Sequence, residues 1–97
     1  MAITSQQQRD TAVHWANENF VTVNATANYT IDDIAAAIAA VDSAFDTTLN
    51  QAVAAGHGAQ TVWQAMAAII PAPFSGATAQ QKALLVSNVT MKRVGIL

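Results

Sequence analysis

The chain has 97 residues, with 4 Lys or Arg, 6 Asp or Glu, 2 His, no Cys, and 53% of its positions hydrophobic. That is the length of one domain, and the missing cysteines exclude both a disulfide framework and a cysteine-ligated zinc module. Charged residues make up 10% of the chain and the net charge is −2; with only Arg9, Lys82, Lys92 and Arg93 to meet phosphate, there is no electrostatic footprint for nucleic acid or an anionic bilayer.

Thr4 or Ser5, followed three places later by Gln7 or Gln8, forms a capping box. It predicts a first helix over about 5–20, with Ala12, Val13, Ala16 and Phe20 on its apolar face. Between Val21 and Tyr29 the run is rich in Asn and Thr and has no partner strand, so it reads as an ordered linker.

Thr30 caps the second helix, and Asp32 and Asp33 sit where the helix dipole favours negative charge. Ile31, Ile34, Ile38, Val41, Phe45, Leu49 and Val53 recur every three or four residues, and Gly56 is the expected left-handed terminator. The helix is placed at about 31–55, and at 1.5 Å per residue it spans about 38 Å, the spine of a small domain. Asp42, Asp46 and Asn50 fall on its far side and read as a solvated face.

Val62, Trp63, Met66, Ile69 and Ile70 mark a third helix over about 59–70 that stops at Pro71. Pro71-Ala72-Pro73-Phe74 is a rigid apolar connector, and Thr78 to Gln81 is a second capping box. That box opens a fourth helix over about 78–94, with Leu85, Val86 and Val89 inward and Lys92 and Arg93 complementing its C-terminal dipole. The fold class is therefore all-α, a bundle of about four helices in one domain spanning 1–97.

No reaction is named by these residues. Asp10, His14 and Glu18 line one face of the first helix, a column that closes a metal coordination sphere poorly; it reads as a polar stripe. Asp42 and Asp46 lack a nearby base to divide acid and base roles, and His57 lies between two glycines as turn chemistry requires. No Ser or Thr sits in a Gly-x-Ser-x-Gly elbow, and the glycines form no phosphate loop. The expectation is a non-enzyme with no catalytic residue, cofactor or metal. The N-terminal residues show no signal-peptide pattern, and the sequons at Asn24, Asn28 and Asn88 are assigned to composition. Neither a membrane nor nucleic acid is expected as a partner.

Trp15, Tyr29 and Phe74, with Ile96 and Leu97, lie off the apolar stripes or in connectors and read as a partner interface, with the tail folding back over its own bundle as the equal alternative. Thr78-Ala79-Gln80-Gln81-Lys82-Ala83-Leu84-Leu85, followed by Val89-Thr90-Met91-Lys92-Arg93, resembles the C-terminal pattern of small helical proteins from the structural-gene cassettes of tailed bacteriophages. Those proteins often pair it with an acidic and apolar helix like Ile34 to Phe45 and a connector like Pro71 to Phe74; the first helix and the Asn/Thr linker have no counterpart. The resemblance implies a virion component assembled in the host cytoplasm and bound to the major capsid protein, a capsid-stabilising cement or decoration accessory. A head-to-tail adaptor, a self-associating subunit and a cytoplasmic helical binding module are the alternatives.

Overall fold

The computed structural model of the chain describes residues 2–22, 29–56 and 58–97, without the side chains of 19–22 and 59–61. It contains α1 (Ser5–Thr22), α2 (Ile31–Ala54), α3 (Ala59–Ala68) and α4 (Ala79–Arg93), with a 3-10 turn at Phe74–Gly76 before α4. The expected all-α bundle is what the chain forms. The helix bounds differ from expectation by at most two residues, mainly because α1 runs on to Thr22 and α3 stops at Ala68. The linker at 23–28 and His57 lie outside the described residues.

Three of the four helices open on a reciprocal cap. Gln7 N–H donates to Thr4 Oγ1 at 3.1 Å while Thr4 N–H donates to Gln7 Oε1 at 2.8 Å. Thr30 and Asp33 exchange two bonds of 3.1 Å, and Thr78 and Gln81 exchange bonds of 3.0 and 3.1 Å. Each box satisfies amides that have no partner inside the helix. At the far end of α2, Gly56 takes φ 76°, the left-handed geometry that an L side chain resists.

The polar contacts fix the topology. Ile3 reaches Asp42 while Arg9 pairs with Asp32, so α1 runs antiparallel to α2. Arg93 at the end of α4 also meets Asp42, and Phe74 before α4 meets Tyr29 before α2, so α4 runs parallel to α2. The helices pack in the pairs α1–α2, α2–α3, α3–α4 and α1–α4, and α2 also packs directly on α4. At about 36 Å for 24 residues, α2 runs nearly the full 38 Å long axis of the molecule.

One apolar cluster fills the centre, with Trp15, Ile34, Ile38, Val41, Met66, Phe74, Leu85, Val86 and Val89 sealed from solvent. Several stripes are rotated from expectation. On α1 the buried face is Thr11, Ala12, Trp15 and Ala16, while Val13 is exposed. Burying an indole removes far more apolar surface than burying an isopropyl group, so α1 turns its Trp inward. Val62 and Met66 of α3, with Ile70 just beyond it, face the core at a spacing of four. Trp63, expected inside, is one residue and about 100° further round and is 41% exposed. Leu49 and Val53, on the last turns of α2, are also exposed. The side chain of Phe20, assigned to the core from its spacing, is outside the described set.

Candidate functional site

Arg93 organises the main polar site. Its Nη1 donates to Asp42 Oδ1 and, at 3.3 Å, to the Asp42 carbonyl, and its Nη2 donates to Asp46 Oδ1 at 2.9 Å. The guanidinium carbon lies 4.4 Å from the centre of the Phe45 ring, a cation–π contact. The other oxygen of Asp42 accepts from Ile3 N–H at 3.2 Å. The Arg93 and Asp42 side chains are 3% and 5% exposed, whereas Asp46 is 74% exposed.

This corrects the reading of Asp42 as part of a solvated face, while Asp46 is exposed as expected. The partner that buries Asp42 sits 51 residues away, so nothing in the local pattern could announce it. Arg93 likewise does more than answer the dipole of α4: its guanidinium turns across to α2. Both Asp42 oxygens are occupied, one by a cation and one by a backbone amide, and the cluster braces α4, α2 and the segment before α1.

Trp15, Tyr29 and Phe74, assigned from sequence to a partner interface, instead form an aromatic cluster inside the protein. Phe74 meets Trp15 at 4.9 Å between ring centres and 80° between planes, and Tyr29 at 4.9 Å and 60°. Trp15 and Phe74 are fully buried and Tyr29 is half-buried against the core. The connector's Pro71 and Pro73 flank a turn that folds Phe74 under the bundle, so a connector residue becomes core. Of the same expected set, Ile96 is 75% exposed and Leu97 half-buried, with both amides turned back to the Met91 carbonyl.

The α1 column divides into separate pairs. His14 Nε2 lies 2.8 Å from Glu18 Oε1, and Asp10 accepts from Gln6 Nε2 at 2.9 Å. Among the described residues, no group of three or more His, Cys, Asp or Glu is placed to hold a metal ion. No described helix is long and apolar enough to cross a membrane. Two amides on α4, Gln81 Nε2 and Asn88 Nδ2, are buried without a hydrogen-bond partner.

A groove of about 400 Å³ runs between α3 and α4, lined by Trp63, Gln64, Ala67 and Ala68 on one side and Ala79, Lys82 and Ala83 on the other. It is the feature that the expected core position of Trp63 concealed; the spacing of Val62, Met66 and Ile70 already leaves Trp63 beside that stripe. Family models, curated proteins and solved structures yield no match to this chain.

Proposed function

We propose that the chain is a non-enzymatic structural protein of a tailed-bacteriophage virion, a capsid-stabilising accessory that binds the major capsid protein. The observation that carries this reading is a set of exposed aliphatic side chains at helix ends. Val53 on the last turn of α2 is 65% exposed, and Val94 and Ile96, which follow α4, are 65% and 75% exposed. Exposed apolar side chains favour burial against a neighbour, and a chain with only 10% charged residues has little to keep them solvated. In a lattice of many copies a modest interface suffices, because avidity multiplies it. The sequence pattern of α4 and of the connector, resembling small phage structural proteins, supplies the rest of the support.

Quantitative mass spectrometry of density-banded particles from a culture that produces the chain tests the proposal. The expected result is the chain in fixed ratio to the major capsid protein, lost from the particles when Val94 and Ile96 are both replaced by Ser. Particles without the chain overturn the proposal. Light scattering on the purified protein separates the two virion positions: a monomer fits a capsid accessory, and a closed ring moves the assignment to the head-to-tail connector.

A further inference from the structure

We infer that the α3–α4 groove is the docking site for an acidic amphipathic helix of a partner protein. The groove takes its α4 residues from the first turns of that helix, away from Val94 and Ile96 beyond its other end, and the inference stands whichever assembly the chain enters. At about 400 Å³ it is within the range of sites that enclose a ligand or an anchoring side-chain cluster. Its lining includes Ala67, Ala68, Ala79 and Ala83, whose small side chains allow a third helix to approach closely. It is also lined by Trp63, an exposed indole of the type that dominates binding energy at interfaces.

Charge decides the occupant. Among the described residues, Lys82 is the one charged residue lining the groove. Its Nζ reaches only the Ser75 carbonyl, at 3.3 Å, and among the described residues it forms no ion pair with a carboxylate. Arg9 and Arg93, by contrast, are both committed to aspartates. An apolar trough with an uncompensated ammonium at its rim is complemented by aliphatic side chains flanked by a carboxylate. The trough is walled by helices and offers no sheet edge, so the fitting partner is a helix laid in a groove rather than an added strand.

Two synthetic leucine–alanine peptides of about 16 residues, long enough to hold helix in part, test this. One carries glutamates flanking its apolar face and the other lysines at the same positions. Each is titrated into the full chain while backbone amide resonances are followed. The glutamate peptide should give saturable shifts confined to 63–68 and 79–83, with the lysine peptide about tenfold weaker. Lys82→Glu should reverse that preference with helical content unchanged, and Trp63→Ala should weaken both peptides. Equal affinity for the two peptides, a preference that survives Lys82→Glu, shifts centred elsewhere, or no saturable binding of either peptide overturns the inference. Particle composition reads a different surface, so either result can fail without the other.

Discussion

Arg93 holds Asp42 by its carboxylate and by its backbone carbonyl at once, across 51 residues of sequence and with almost no solvent at either side chain. Removing one partner of such a pair leaves an uncompensated buried charge, which is far more damaging than the pair is stabilising. Asp42→Ala should therefore lose about 3–5 kcal/mol in urea unfolding. The double replacement Asp42→Leu with Arg93→Met should recover most of that loss. A single variant within 1 kcal/mol of the parent, on the order of an exposed pair, would show the brace to be energetically idle.

Asp46 shares the same guanidinium but is 74% exposed. Its replacement by Ala should cost less than about 1 kcal/mol, as exposed ion pairs do. Both carboxylates face one Arg, so comparing the urea midpoints of Asp42→Ala and Asp46→Ala measures burial together with the bond that Asp42 accepts from Ile3 N–H.

Phe74 is fully buried and meets two rings edge to face. Phe74→Ala should destabilise by about 3–5 kcal/mol, the cost of a large cavity plus the lost ring contacts. Trp15 fluorescence should shift to the red as water reaches the void, and an unshifted spectrum with parental stability would contradict the placement.

Asn88 keeps an unpartnered amide nitrogen in the interior. Such a group costs about 1–3 kcal/mol, so its removal is neutral or better where the shape is accommodated. Asn88→Leu should match or exceed the parent's melting temperature, and a fall of several degrees would mean that the amide has a partner in solution.

Thr78→Ala removes the cap of α4 and should cost about 1 kcal/mol. Thr78→Ser should restore it, because the bond to Gln81 N–H needs only the hydroxyl.

The helices were legible because their signals are local. Thr30 with Asp33, Thr78 with Gln81, the stop at Pro71 and the turn at Gly56 each act within a few residues. What was not legible depends on rotation and distance. The choice between Val13 and Trp15, or between core and surface for Trp63, turns on about 100° of helix rotation, which weak segregation of apolar residues on a short helix leaves open. Phe74 reads as a connector until the turn around it is seen, and the fate of Asp42 waits on Arg93 at the far end of the chain.

The brace at Asp42 also sets an order of events. Capping boxes and helical turns close over three or four residues, whereas the contacts of Asp42 with Ile3 and Arg93 close loops of 39 and 51 residues. The entropy of those closures is met only when the helices already lie side by side. A contact that forms after the barrier leaves the refolding rate nearly untouched and governs how fast the native state opens. Asp42 and Arg93 are accordingly a lock on lifetime, and their loss should appear in the unfolding arm of the kinetics while the folding arm keeps its slope and height.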